Sequence, residues 1–444
     1  MKKLLYIGLV FVGLLGCKHN EKVTEDKSGN HPRYTDTLNW MGHWKARWGK
    51  EQMVKQMTRD FELQNQHIKV NMQFPQDIYK SDSYTGRLAD SAVKMIQTNK
   101  YTWDIIFLDV ANYNNIARKL NDQEWGKKYL VNFEEFDWFK ASHKPIVFEN
   151  PQYRNFTGGQ IVGPVLEGIY TALWYNKKVA DKLGLSIKPE NMTFEDFKGY
   201  IKAGFDYNKT ASRKITLIST ENQNNVGTLF TNLVISELGN IDTVNVDMAK
   251  SKAALLKGLK AFEELSVYKP MEQVHGTEAI TLLDEKSLFT VFQTYAYNRW
   301  AKIDSAKSVN LIPAELPGLS KPTAVYPGTY QSVWCVFKNS PHAANAIKAM
   351  QFICTNDVAE RWLSLTKNPT GLKSRLNSAD LAQSSIERFI TGLDKKYGKN
   401  IQNENLGKIL FGRKNQSVAI PSEAVLKGEI SADQCYSNIL RNLR

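Results

Sequence analysis

Cysteine is scarce in this sequence, with four residues in 444 and no CxxC pair, which excludes a disulfide scaffold and leaves no zinc or redox motif visible. Proline (14) and glycine (27) are modest and follow no repeat, so the chain is neither collagen-like nor of low complexity. Long apolar runs are missing except at the start, which rules out a multi-span channel or permease. There is no GxxxxGK[ST] phosphate loop, no HExxH helix and no GxSxG elbow, so none of these signals an ATPase, zinc protease or serine hydrolase. What remains is globular: 42% hydrophobic, 23% charged and 11% aromatic, enough apolar material for two or three domains.

The formal charge is +13, yet the cations are dispersed. Doublets such as Lys127-Lys128, Lys177-Lys178 and Lys395-Lys396 occur, but no long basic tract, which argues against a nucleic-acid partner.

The single apolar run is Leu4–Gly16, preceded by Lys2 and Lys3. Thirteen residues are too few for a bilayer span, which needs about 20, but they suit the core of a secretory signal. Leu14-Leu15-Gly16-Cys17 resembles a bacterial lipobox, so residues 1–16 read as a lipoprotein signal peptide and Cys17 as the lipidated residue. Residues 17–36, poor in large apolar side chains, read as a flexible tether. Acyl chains on Cys17 imply an exported protein held to a bacterial cell membrane, facing the periplasm or exterior. Cys335, Cys354 and Cys435 read as small buried hydrophobes, with a Cys335–Cys354 disulfide as the alternative in an oxidising compartment.

Beyond the tether, strand-like and helical patterns alternate. Thr37–Trp40 starts a strand; Glu51–Gln64 places Met53, Val54, Met57 and Phe61 at helical spacing; Ile68–Phe74 alternates as a strand; Ala89–Gln97 is helical; Trp103–Val110 is a continuous apolar run. This order predicts a doubly wound α/β unit with a parallel sheet. A second α/β region follows, with Ile169–Tyr175 as a strand and a capping-box spacing at Thr193 and Asp196. Val309–Leu316 and Ser332–Phe337 read as strands, Ala343–Cys354 as a helix, and the tail as mostly helical.

The ordered set of Trp40, the Glu51–Phe61 helix, Ile68–Val70, Trp103–Phe107, Gly163-Pro164, Leu173–Lys177, Leu183–Leu185, Thr193–Phe197, Pro327-Gly328, Ser332–Phe337, Ala343–Trp362 and Pro369–Ser374 resembles family 1 extracellular solute-binding proteins, the group containing maltose-binding protein. The resemblance implies two doubly wound α/β lobes joined by hinge strands, with a ligand cleft between them, as in class II periplasmic binding proteins. It places lobe one at 37–165 plus 317–354 and lobe two at 170–311 plus 356–444, with crossings at Val165–Ile169 and Ile312–Leu316. It further implies a monomeric receptor without cofactor or catalysis, which captures a sugar by lobe closure and delivers it to an ABC permease driven by a separate ATPase.

A sugar site needs aromatic planes for the apolar ring face and amides or carboxylates for the hydroxyl rim. By the same resemblance, Trp40, His43, Trp44 and Trp48 line the cleft after the first strand, Asp109 and Asn112 present polar groups, and Glu167 contributes a carboxylate from the hinge. The second lobe would offer Tyr295, Tyr297, Asn298 and Trp300, with Gly328 and Tyr330 near a close backbone approach. Core packing, helix caps and a hinge salt bridge are the competing roles for these residues. At Arg413–Gln416 the maltose-binding members carry a stacking aromatic that this chain lacks, which argues against maltose and makes Arg413 a partner for a charged or uronic sugar. The alternatives in other classes are a polyamine, phosphate-ester or iron receptor, the last through Tyr295 and Tyr297, and a surface glycan hydrolase with paired carboxylates.

Overall fold

The computed structural model describes residues 34–47, 49–79, 85–149, 159–220, 226–239, 241, 245–275, 280–332, 334–375, 384–398, 401–402, 405–415 and 417–443. The expected signal peptide, Cys17, Trp48 and most of the expected tether lie outside these residues.

Strand β1 (Asp36–Met41) leads through the helix Lys50–Gln64 to β2 (Ile68–Gln73), which pairs with it in parallel register from Asp36↔Ile68 to Met41↔Gln73. The helix forms because Met53, Val54, Met57 and Phe61 fall on one face and are buried there. A second crossover, through the helix Thr85–Thr98, brings β3 (Ile105–Phe107) against the other edge of β1, also parallel. The apolar run 103–110 yields only a three-residue strand, because Asp109 caps a new helix, Val110–Leu120, by accepting from the Asn112 backbone at 2.7 Å.

The second sheet is built around β4 (Glu167–Asn176), ten residues with almost every side chain buried. Its other members are β5 (Thr216–Ser219), β6 (Ser287–Gln293), β7 (Leu311–Ala314), β8 (Tyr326–Gln331) and, past β9 (Trp334–Val336), β10 (Ile401–Gln402). The order is β10-β8-β4-β6-β5, with β7 beside the second half of β4. Strands β6, β7 and β8 run antiparallel to β4, whereas β5 is parallel to β6. This sheet is therefore mixed. The first sheet, β2-β1-β3-β9, is parallel apart from β9. The predicted capping box forms: Thr193 and Asp196 exchange hydrogen bonds at 3.0 and 3.2 Å at the start of the helix Phe194–Thr210.

Two stretches sit elsewhere than expected. Residues 326–331, assigned to lobe one with 317–354, instead pair with β4, so the chain returns to the first sheet only between Ser332 and β9 rather than at Ile312–Leu316. Backbone pairing over four positions overrides the sequence boundary. The helix Asn356–Thr366, assigned to lobe two, packs on the helix Lys50–Gln64, with Arg361 paired to Asp60 at 2.6 Å and Trp362 against Trp44. Gly371 continues this attachment by donating to Val165 at 2.9 Å and accepting from Lys144 at 2.8 Å.

Cys335, Cys354 and Cys435 are separate buried thiols, so the disulfide alternative does not hold. Burial raises the Cys335 and Cys354 thiols far above their ordinary range, and Cys435 to about 11. Among the described residues, no helix is long and apolar enough to cross a membrane.

Candidate functional site

The loop after β1 turns on Trp44, which takes a left-handed backbone (φ 66°). Its ring lies 5.4 Å from Trp334 and 5.0 Å from Trp362, and only 5% of the residue is exposed. Trp40 is deeper still, edge-on to Trp334 at 5.2 Å. Both tryptophans pack the lobe; Trp40 has no surface left for a ligand. Gly49 permits the next step: at φ 67°, a Cβ there would lie 2.3 Å from the Leu365 carbonyl oxygen, so only glycine fits.

Lys50 follows, and it points inward. Its ammonium pairs with buried Glu167 and lies 5.3 and 5.8 Å from the Trp44 and Trp362 ring centroids. Glu167 also accepts from Gln331 Nε2 at 2.7 Å. Burial alone would raise the Glu167 carboxyl, but Lys50 and the Gln331 hydrogen bond hold it below its ordinary value. Glu167 is thus engaged in a buried salt bridge.

His43 stacks flat on Phe107, 3.8 Å between centroids and 11° between planes. Burial drives its pKa down to about 3; Glu167 pulls upward, while Lys50 and Arg47 push down. The ring is therefore neutral at physiological pH. Its Nδ1 is buried and finds no hydrogen-bond partner among the described residues, and neither does the side-chain amide of fully buried Asn112. These two orphaned groups follow the C-terminal ends of neighbouring strands, β1 and β3. In an open α/β sheet, ligand groups converge there. Asp109, by contrast, is engaged as a helix cap.

The helix Ala296–Ile303 brings the second sheet's aromatics. Trp300 is 1% exposed, edge-on to Trp174 at 5.0 Å and against Phe292, so it packs the core and offers no stacking face. Tyr297 stacks on Trp174 at 6.2 Å, and Asn298 Nδ2 donates to the Leu365 carbonyl at 3.1 Å, tying this helix to Asn356–Thr366. Tyr295 is half-buried, edge-on to Phe292, and lies within the fields of Arg47, Arg299 and Glu167. Burial raises its phenol above the ordinary value.

Gly328 serves packing rather than ligand approach: a Cβ would meet the Tyr170 ring at 2.6 Å and the Ile169 carbonyl oxygen at 2.8 Å. Tyr330 is buried in a polar knot, its hydroxyl 2.6 Å from that of Tyr170 and donating to Asp394 at 2.7 Å; Asp394 also pairs with Lys144 at 2.7 Å. Arg413 begins a short 3-10 turn, and its side chain lies outside what the structure describes. Among the described residues, no group of three or more His, Cys, Asp or Glu side chains could hold a metal ion. Tyr297 stacks on Trp174, whereas Tyr295 packs edge-on against Phe292.

Sequence reasoning did not single out Arg47 or Lys302. Arg47 and Lys302 line a cavity of about 530 Å³ between the outer face of the helix Lys50–Gln64 and the helix Ala296–Ile303.

The whole fold has close counterparts among solved structures. The GacH receptor of Streptomyces glaucescens, solved unliganded and with acarbose, matches with a TM-score of 0.60 over 92% of this chain and 98% of its own, at 15% identity. RafE from Streptococcus pneumoniae gives 0.61 over 92% and 96%, at 14%. The cyclic α-maltosyl-1,6-maltose binding protein of Arthrobacter globiformis gives 0.62 over 92% and 97%, at 13%. The chain has the two-lobe binding-protein fold. No protein-family model and no curated protein matches the sequence itself. Asn298, three residues after Tyr295, reaches the Leu365 carbonyl, the same carbonyl that Gly49 of the β1 loop approaches.

Proposed function

We propose that this protein is an exported sugar receptor of an ABC importer, anchored through Cys17 and binding without catalysis. The observation that carries the reading is the pair of orphaned polar groups after the C-terminal ends of β1 and β3, the neutral His43 ring and the Asn112 amide, with half-buried Tyr295 within the field of Arg47 on the same β1 loop. Buried polar groups are rarely left unpaired, and sugar hydroxyls would satisfy these. Tyr295 supplies the plane for a ring face. The fold shared with sugar-binding proteins supports the same reading.

The lobes we assign are 36–166 with 334–373, and 167–331 with 385–443, closing as rigid bodies over the ligand; hinge closure of this kind is a general property of periplasmic binding proteins. Delivery to a permease with a separate ATPase completes the scheme. A saccharide ligand should raise the melting temperature by mass action, about 2.7 kcal/mol at a hundredfold excess over Kd, and be recovered intact. Time-dependent cleavage by the pure protein would contradict the reading. Cys17→Ser should abolish fatty-acid labelling in cells and release the protein from the membrane fraction; unchanged labelling would refute the anchor.

A further inference from the structure

The first sheet has two unlike ends. Strands β1, β2 and β3 run in one direction, so the segments bearing His43 and Asn112 follow their C-terminal ends, and their N-terminal ends form the opposite end of the body, its base. β9 runs the other way, so Phe337, just past it, is at the base; its backbone donates to the Asp104 carbonyl at 3.3 Å, and its ring centroid lies 5.2 Å from that of Tyr101. The helix Lys50–Gln64 ends there as it leads into β2, and the helix Thr85–Thr98 ends there before β3. The chain entering β1 arrives at the same end: Thr35 donates to the His67 carbonyl at 2.9 Å, and the Lys69 ammonium lies 5.1 Å from the Tyr34 ring centroid.

Lysines line this base. Lys69, Lys94, Lys100 and Lys338 are exposed on it. Lys127 and Lys128 join them, because Lys338 donates from its ammonium to the Lys127 carbonyl and from its backbone to the Tyr129 carbonyl, both at 2.8 Å. The carboxylates along the same line, Asp36, Glu62, Asp122 and Glu124, already have basic partners in His342, Lys69, Lys128 and Lys127. Lys94, Lys100 and Lys338 have no carboxylate partner among the described residues, so the base carries an excess of positive charge. Two large apolar side chains that stay exposed, Tyr34 and Leu63, are on the same end. Ammonium groups around a few apolar side chains suit an anionic bilayer surface, whose headgroups attract the cations and whose interface accepts the apolar groups.

We propose that the base of the first sheet is a contact surface for anionic lipid headgroups, standing the body on the membrane with its His43 and Asn112 end turned away. This rests on the reading of Cys17 as a lipid anchor. At most about 60 Å of chain separates Cys17 from Tyr34, and it joins the body at the base, so the anchor keeps this end nearer the bilayer than the far one. Each lysine close to an anionic surface strengthens binding about fivefold. Without acyl chains such a contact does not retain a protein stably; it orients a body that the anchor holds.

Vesicle co-sedimentation of the chain freed of residues 1–16 and carrying Cys17→Ser tests this, with vesicles of phosphatidylcholine alone and of phosphatidylcholine mixed with phosphatidylglycerol. The expected result is binding to the mixed vesicles about tenfold tighter or more than to the neutral ones, lost as added salt screens the charges. Lys100→Gln combined with Lys338→Gln should remove most of that preference and leave the melting temperature in place. Lys214→Gln combined with Lys321→Gln, the same loss of charge from exposed lysines of the second sheet's body, should keep it. Equal binding to the two kinds of vesicle, or binding to neither, would overturn the proposal. An equal loss in the two double variants would also overturn it, because net charge rather than this face would then be responsible. The unacylated chain keeps these outcomes apart from the anchor itself, which fatty-acid labelling tests.

Discussion

Replacing Lys50 by methionine alone is expected to cost about 3–5 kcal/mol of stability, because it leaves the Glu167 carboxylate buried without its cation. The double variant Lys50→Met with Glu167→Gln should recover most of that loss, since no buried charge remains and the amide can still accept from Gln331. Urea denaturation of the three proteins measures both effects. A loss under about 1 kcal/mol for the single variant would show that the pair is weakly coupled, as exposed pairs are.

The pH dependence carries a sign that the same variants reverse. In the native protein the Glu167 carboxyl is held low, so its contribution is complete above its unfolded value of about 4.3 and is lost as pH falls through the folded pKa. Without Lys50, burial dominates and raises that carboxyl above its unfolded value. The contribution then favours the fold at acid pH and declines as pH rises. The deficit of Lys50→Met should therefore shrink toward pH 4.

Trp300→Ala should destabilise by about 3–5 kcal/mol through the cavity it leaves against Trp174 and Phe292, with saccharide affinity near normal in the fraction that stays folded. Tyr295→Ala should behave oppositely, weakening binding by about tenfold or more through the lost stacking while moving the melting temperature little. Thermal unfolding and calorimetry on each variant separate the two patterns. Weakened binding without destabilisation in Trp300→Ala would return that side chain to the ligand.

The contrast between these residues explains what could and could not be read from the sequence. Local patterns were informative where local physics decides: the Met53–Phe61 face and the Thr193–Asp196 box appear as read, and the strand read over Ile68–Phe74 forms over Ile68–Gln73. Strand partners were not, because β8 joins β4 through residues more than 150 positions apart, and nothing in the 326–331 segment names its neighbour. The tryptophans were ambiguous for a chemical reason. A large flat apolar ring suits a core and a sugar face equally, and only burial separates Trp300 from Tyr295. Lys50 reads locally as an exposed lysine at a helix start, yet Gly49 and two tryptophans turn it toward a carboxylate 117 positions away.

Calorimetric titration of the wild-type chain, freed of its signal segment, against a panel of charged and neutral oligosaccharides tests the central claim most directly. The account predicts saturable one-to-one binding by at least one oligosaccharide, with the glycan unchanged afterwards. No heat from any saccharide in a protein that melts cooperatively would contradict it.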